Sequence, residues 1–108
     1  MVDLKMIRDI YLYPDTVDFR KGIPALLNLI LTFYKEYEVL DCIFVFFGRN
    51  KKQIKMIEIN KDGTWLYEKR INEGNFIFPT FNENIKIDKK QLKIILDTIS
   101  PTKKRNIS

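Results

Sequence analysis

The chain has 108 residues, with 19 basic and 14 acidic side chains, a formal net charge of +5, no histidine and one cysteine. The absence of histidine excludes a Ser-His-Asp triad, a zinc site with histidine ligands and a histidine general base. Cys42 lies in an apolar run and cannot form an internal disulfide, so we expect a buried, inert thiol rather than a nucleophile. With 45% hydrophobic residues, this composition predicts a small, basic, intracellular domain that is not an enzyme.

The first third of the chain predicts a strand, a turn and a helix. Ile10–Tyr13 is short and apolar, and Pro14 is expected to end it as a strand. Asp18–Gly22 follows as a polar turn, in which the Asp18 carboxylate is expected to tie the backbone by accepting N–H bonds. Pro24 lacks an N–H and fits only the first turn of a helix, which is therefore expected to begin near Ile23. The residues spaced along one face of this helix are Leu26, Leu29, Ile30, Phe33 and Tyr37.

The middle of the chain predicts antiparallel strands. Ile43–Phe47 is apolar on both alternating faces, which is typical of a central strand covered on both sides. After the basic loop Gly48–Lys52, the strands Ile54–Ile59 and Trp65–Ile71 are joined at Asn60–Gly63. There the Asp-Gly pair indicates a tight hairpin with positive φ angles.

The hairpin register assigns the side chains of these two strands to two faces. One face carries Lys55, Ile57, Ile59, Leu66, Glu68 and Arg70, and the other carries Met56, Glu58, Trp65, Tyr67, Lys69 and Ile71. Both faces mix apolar and charged residues. The pattern therefore does not determine which face meets the core.

The last part of the chain predicts a short strand and a second helix. Asn72–Asn75 is a turn, and Phe76–Phe78 is a short strand that Pro79 ends. Asp88 is followed three residues later by Gln91, the spacing of a capping box at a helix start. The apolar stripe of this helix consists of Leu92, Ile95, Leu96 and Ile99.

The order of these elements predicts an α+β fold. We expect a single domain over residues 1–100, with a mainly antiparallel sheet of about five strands and two helices, followed by a basic, mobile tail at 101–108. The longest apolar stretch, Ile23–Tyr34, is shorter than the roughly 20 residues that span a bilayer. No apolar signal-peptide region is present at the charged N-terminus, so we expect a cytoplasmic protein.

Positive charge is concentrated in the middle of the chain and in the tail. Residues 48–70 hold seven basic and three acidic side chains, and the tail adds Lys103, Lys104 and Arg105. Such clusters are typical of proteins with a polyanionic partner. Solvated surface loops give the same pattern, so charge alone leaves both readings open.

An ordered set of short motifs points to a known family. The motifs are Asp18–Gly22, Phe44–Arg49, Ile54-Lys55, Asp62-Gly63, Lys69-Arg70, Gly74 and Phe76–Pro79. In this order and spacing, from about Ile10 to Ile99, the chain resembles the small accessory protein of the insertion-sequence-sixty-six family of bacterial transposable elements. That protein is the product of the second open reading frame (TnpB type).

The resemblance implies an accessory role in DNA transposition beside a separate, larger transposase, and it brings no catalytic residues. The carboxylates of this chain mostly fall in turns or beside basic residues, which argues against a nuclease that binds metal through converging acids. We therefore expect a non-enzymatic protein without cofactor or metal, whose partners are DNA and the transposase of the same element.

Two hypotheses describe how such a protein would act. In the first, basic side chains bind the phosphates of nucleic acid; the candidates are Arg20, Lys21, Arg49, Lys51, Lys52, Lys55, Lys69 and Arg70. Lys69 and Arg70 project to opposite faces of their strand, so side-chain direction allows only one of them to share that surface. In the second hypothesis, Trp65 and Tyr67 dock the transposase or another element-encoded protein without contact to DNA.

Overall fold

The computed structural model describes residues 6–34, 38–77, 85–97 and 99–100. Its elements in chain order are β1 (Asp9–Val17), a 3₁₀ helix (Phe19–Lys21), α1 (Gly22–Phe33), β2 (Cys42–Gly48), β3 (Gln53–Asn60), β4 (Gly63–Arg70), β5 (Asn75–Phe76), β6 (Ile85–Ile87), α2 (Lys89–Asp97) and β7 (Ile99–Ser100). A five-stranded sheet has the order β4-β3-β2-β1-β6, and β5 and β7 form a separate pair. β1 and β2 are parallel and the other neighbours are antiparallel. The predicted α+β fold, with a mainly antiparallel sheet of five strands and two helices, is confirmed.

Both faces of the large sheet are covered, and β2 is its central strand. All of Cys42–Gly48 is buried, which confirms the predicted central strand. Leu26 and Ile30 of α1 pack on one face, against Phe44, Phe46 and Ile57 among others. The other face packs against α2 and β5; its buried residues include Ile43, Val45, Phe47, Phe76 and Leu92. Each such side chain stabilises the fold by about 1.5–3 kcal/mol through removal from water.

The two helices begin as predicted. α1 starts at Gly22, so Pro24 lies in its first turn. At the start of α2 the Gln91 amide N–H donates to Asp88 Oδ1 at 2.7 Å, and the Asp88 amide donates to Gln91 Oε1 at 2.8 Å. The capping box is therefore confirmed.

The predicted extension of the α2 stripe to Ile99 is wrong. The helix ends at Asp97, and Ile99 pairs with Phe76 in the small sheet. The proline at position 101 disfavours helical backbone at Ser100, which favours an extended chain at this point.

The predicted end of the first strand at Pro14 is also wrong, since β1 continues to Val17. The register between β1 and β2 shifts between Leu12 and Thr16. Pro14 thus lies in an irregular stretch of β1, and among the described residues none pairs with it, so there its missing N–H breaks no ladder hydrogen bond.

The hairpin at Asn60–Gly63 is confirmed, but the prediction of positive φ angles there is wrong. Asn60 pairs with Gly63 across a two-residue loop, and the positive-φ residues of the described chain lie elsewhere, at Gly22, Asp41, Lys51 and Gly74. Negative φ at Lys61 and Asp62, with Asn first and Gly last, fits a type I turn. The predicted division of the two strands into faces is confirmed by the same register.

The sequence pattern predicts no strand at Ile85–Ile87, where β6 lies, because three residues are too few to establish a periodicity. The expectations for Tyr37, Phe78, Pro79 and the tail 101–108 concern residues outside the described part of the chain. Within the described residues, no helix combines the length and apolarity that crossing a membrane requires.

Candidate nucleic-acid interface

Three loops, which follow β1, β2 and β4, meet at one end of the large sheet. The first two meet there because β1 and β2 are parallel. The Arg49 amide donates to the Val17 carbonyl at 3.2 Å, which joins the carboxyl ends of these two strands. β3 begins and β4 ends at the same place, since Gln53 pairs with Arg70. The topology thus gathers six of the eight predicted basic residues into one surface, the basic rim: Arg20, Lys21, Arg49, Lys51, Lys52 and Arg70.

Asp18 organises the first loop of the rim. Its carboxylate accepts hydrogen bonds from the Arg20 amide at 3.0 Å and from the Arg20 guanidinium at 2.9 and 2.7 Å, so the prediction that Asp18 ties this turn is confirmed. Arg49 Nη1 lies 3.9 Å from the same carboxylate. The hydrogen bonds from Arg20 hold the pKa of Asp18 well below its usual range, and Asp18 in turn raises the pKa of Arg20. Two guanidinium groups share one carboxylate, so a net positive charge remains.

An open cavity of about 300 Å³ lies between the first two loops. Its lining residues are Val17, Asp18, Phe19, Arg20, Gly48, Arg49, Asn50 and Gln53. The side chains of Arg20 and Arg49 are 88% and 69% exposed. The Arg20 guanidinium is therefore held by Asp18, the Arg49 guanidinium lies at the outer limit of an ion pair with the same carboxylate, and both are accessible to an anion in solution.

Phe19 forms a wall of this cavity and lies close to both Gly48 and Lys55. A Cβ atom at Gly48 would lie 3.0 Å from the Phe19 ring, so any larger residue at this position would require the ring to shift. Lys55 Nζ lies 4.8 Å from the centroid of the same ring, within the range of a cation–π contact. Lys55 is half-buried beside the rim and supports the wall.

The neighbouring residues Lys51 and Lys52 have different surroundings. The Lys51 amide closes a turn onto the Gly48 carbonyl at 3.0 Å, and Lys51 itself is exposed with a φ of 60°. The half-buried Lys52 donates from Nζ to the Gly74 carbonyl at 2.7 Å. Lys52 thus fastens the β2–β3 loop to the turn after β4, whereas Lys51 is an exposed residue.

Lys69 and Arg70 lie on opposite faces of β4, which confirms that prediction. Lys69 pairs in register with Ile54, and its Nζ donates to the Leu96 carbonyl at 3.0 Å near the end of α2. Such a cation interacts favourably with the carbonyl end of a helix. Lys69 therefore does not join the rim, while the exposed Arg70 does, at the position opposite Gln53.

The candidate partner-binding residues Trp65 and Tyr67 form a separate surface nearer the hairpin tip. Their rings stack at a centroid distance of 6.3 Å and an angle of 19°, and Trp65 is 61% exposed. The Tyr67 hydroxyl donates to Glu58 Oε1 at 2.9 Å, and Glu58 is only 8% exposed. Burial, followed by this contact with Glu58, raises the pKa of Tyr67.

Sequence reasoning missed one feature of the cavity and one of the charge distribution. The first is that Phe19, Gly48 and Gln53 shape the cavity. The sequence gives one signal of this role, because Phe19 and Gly48 fall within the motifs Asp18–Gly22 and Phe44–Arg49. The second is a group of cations at the opposite end of the sheet, consisting of Arg8, Lys86, Lys89 and Lys90. Asp9 lies 3.6 Å from Arg8 and 3.4 Å from Lys86 and partly neutralises this group. Arg8 is distant from the other three in chain order, and Asp88 lies among Lys86, Lys89 and Lys90, so the sequence does not show these residues as one basic cluster.

Comparison with known proteins identifies the family of the chain. A family model described as "IS66 Orf2 like protein" matches residues 8–106, and neither the curated proteins nor the solved structures gave a match. Among the described residues, no three histidine, cysteine or carboxylate side chains are grouped in a way that could hold a metal ion. Since the match covers almost the whole chain, the protein belongs to the IS66 Orf2-like family of transposition-associated proteins.

Proposed function

We propose that this protein is a non-enzymatic accessory factor of transposition that binds DNA through the basic rim. The observation that carries the proposal is the gathering of six cationic residues from three separate loops at one end of the sheet. The same loops contain only two carboxylates, Asp18 and Glu73. Contacts between such cations and phosphates supply most of the affinity of non-specific DNA binding.

Arg20 and Arg49 are suited to bind a phosphodiester group at the cavity. A guanidinium group presents its N–H donors as a planar fork that matches two phosphate oxygens. Because hydrogen bonds to Asp18 already hold Arg20, this side chain loses little freedom when it binds an anion. Lys51 extends the same surface. Its backbone is left-handed, a conformation that costs a lysine residue more free energy than it would cost a glycine.

Fluorescence anisotropy with a labelled duplex from the ends of the element, titrated from low to physiological salt, tests this proposal. A scrambled duplex and a single strand distinguish sequence preference from general affinity. The rim variant is Arg49→Glu with Lys51→Glu. The control is Lys89→Glu with Lys90→Glu, which changes the net charge equally at exposed residues of the opposite end.

We expect salt-dependent binding by the wild-type protein. The rim variant should flatten the plot of log affinity against log salt by about two phosphate contacts, and the control should keep the wild-type slope. Equal losses in the two variants would mean that only net charge matters. Absence of binding at low salt would contradict the proposal outright.

The stack of the exposed Trp65 on the half-buried Tyr67 favours a second candidate function, the docking of the transposase. Exposed aromatic side chains are enriched at the centres of protein interfaces. Under this alternative, calorimetry with the purified transposase should detect binding that Trp65→Ala weakens and that the rim variant leaves unchanged. The opposite pattern, or binding that neither variant affects, would count against docking through the stack.

A further inference from the structure

β4 forms an edge of the large sheet, and in the described chain no residue pairs with its outer side. The direction of its backbone groups follows from two bonds. The Ile71 amide donates inward to the Lys52 carbonyl at 2.9 Å, and the Ile59 carbonyl accepts from Asp41 on the β2 side at 2.6 Å. Backbone groups alternate along an antiparallel ladder, so the N–H and C=O groups directed outward belong to Thr64, Leu66, Glu68 and Arg70.

The half of this edge nearest the hairpin tip lacks the usual protection against pairing. Natural edge strands are commonly blocked by lysine, proline or a bulge. Gly63–Tyr67 contains no charged residue and no proline, and its register with β3 is regular throughout. The charged residues Glu68, Lys69 and Arg70 are confined to the other half.

We propose that two copies of this protein pair antiparallel through β4, with the two-fold axis at Leu66. Leu66 then lies opposite itself, and Thr64 lies opposite Glu68 of the second copy, so that the outward N–H and C=O groups meet. On the face occupied by Trp65 and Tyr67, each tryptophan lies opposite the tyrosine of the other copy. Aromatic cross-strand pairs of this kind stabilise antiparallel sheets.

Charge complementarity supports a second copy as the occupant of this edge and selects the register. With the axis at Leu66, Arg70 comes opposite Asp62 in the hairpin loop of the second copy, twice by symmetry. No two like charges lie directly opposite. An axis at Tyr67 would place Leu66 against Glu68 and Trp65 against Lys69, and an axis at Glu68 would place two glutamates opposite each other.

Sedimentation equilibrium of the full chain without nucleic acid tests the dimer. We expect the mass to rise with concentration from 12.9 kDa towards twice that value. Thr64→Pro removes an exposed, outward N–H without touching the bonds to β3, and it should weaken dimerisation about tenfold or more because two symmetric hydrogen bonds are lost. Thr64→Val, which keeps the N–H, should dimerise as the wild type does.

Oxidative cross-linking tests the register independently of any loss of fold. Leu66→Cys should form a disulfide with itself, because the Cα atoms of a hydrogen-bonded pair lie about 5.5 Å apart, within disulfide range. Thr64→Cys should not, because its copies are displaced by four residues along the strands, roughly 13 Å. Cys42 is fully buried and should not react.

The ion pairs are tested by charge exchange. Arg70→Asp should weaken the dimer, and addition of Asp62→Arg in the same chain should restore it. A chain that stays monomeric, a dimer that Thr64→Pro leaves unchanged, or cross-linking at position 64 in preference to 66 would each overturn the proposal.

Discussion

The amide of Arg49 donates a hydrogen bond to the carbonyl of Val17, and this 3.2 Å contact joins the ends of two strands that α1 separates in the chain. Parallel neighbours require a crossover, which α1 provides. The crossover brings the loop after β1 and the loop after β2 to the same end of the sheet. The basic rim is therefore a product of topology, assembled from segments about thirty residues apart in sequence.

Lys52 and Lys51 should differ sharply in their effect on stability. Lys52→Met removes the hydrogen bond to the Gly74 carbonyl and should lower the free energy of unfolding by about 1–2 kcal/mol. Lys51→Met should change it by less than about 0.5 kcal/mol, because the side chain is exposed. Urea unfolding of both variants measures the difference, and equal losses would show that the contact of Lys52 contributes nothing.

Glycine should be required at Gly48 and dispensable at Gly63. Gly48→Ala places a Cβ atom 3.0 Å from the Phe19 ring, which Lys55 covers, so we expect a loss of about 1–3 kcal/mol from overpacking. Gly63→Ala meets no atom within 4 Å and needs no positive φ. It should be neutral or slightly stabilising, since alanine restricts the unfolded chain. Thermal unfolding of the two variants compares them, and a reversed order of stability would contradict the packing described.

The ion pair between Asp18 and Arg20 should make stability depend on pH. The pKa of Asp18 is lowered in the folded state, so the pair stabilises the protein above the ordinary carboxyl pKa of about 3.9. That stabilisation is lost as the pH falls through the lower folded pKa. Asp18→Asn should therefore be less stable than wild type at pH 7, and the difference should shrink at acidic pH. Urea unfolding across this pH range measures it, and a difference independent of pH would refute this account.

Removing the charge of Glu58 should lower the free energy of unfolding less than removing the hydroxyl donor of Tyr67. Tyr67→Phe leaves the carboxylate of Glu58, which is 8% exposed, without its hydroxyl donor, and we expect a loss of about 1–3 kcal/mol. Glu58→Gln keeps an acceptor for the hydroxyl and should lose less. Chemical denaturation of the two single variants compares their losses of unfolding free energy. A loss in Glu58→Gln that equals or exceeds the loss in Tyr67→Phe would contradict this account.

Local signals in the sequence were sufficient for most of the fold. Pro24 located the start of α1, and the pair Asp88 and Gln91 located the start of α2, because each depends on backbone chemistry within one helical turn. The prediction for Pro14 was wrong because a proline ends a strand only where a neighbour needs its N–H. Ile99 fits a helical stripe by spacing, but its pairing with Phe76 depends on a contact between distant segments.

The candidate site could be predicted in part. The basic residue types and the role of Asp18 in its turn followed from sequence, since both are local. The grouping of Arg20 with Arg49 could not be predicted, because it depends on the parallel pairing of β1 and β2. The hydrogen bonds from Lys52 to the Gly74 carbonyl and from Lys69 to the Leu96 carbonyl could not be predicted either, because they join segments that are distant in sequence.

An NMR titration of the ¹⁵N-labelled protein with an element-end duplex locates the surface that binds DNA. Binding through the basic rim predicts that the amide shifts that change belong to residues 18–22, 48–53 and 70–75, in the three loops that meet at one end of the sheet. The amides of Lys86, Lys89 and Lys90 at the opposite end, and of Trp65 and Tyr67, should change little. Shifts centred on the opposite end or on the aromatic stack, or no shifts at low salt, would contradict the account.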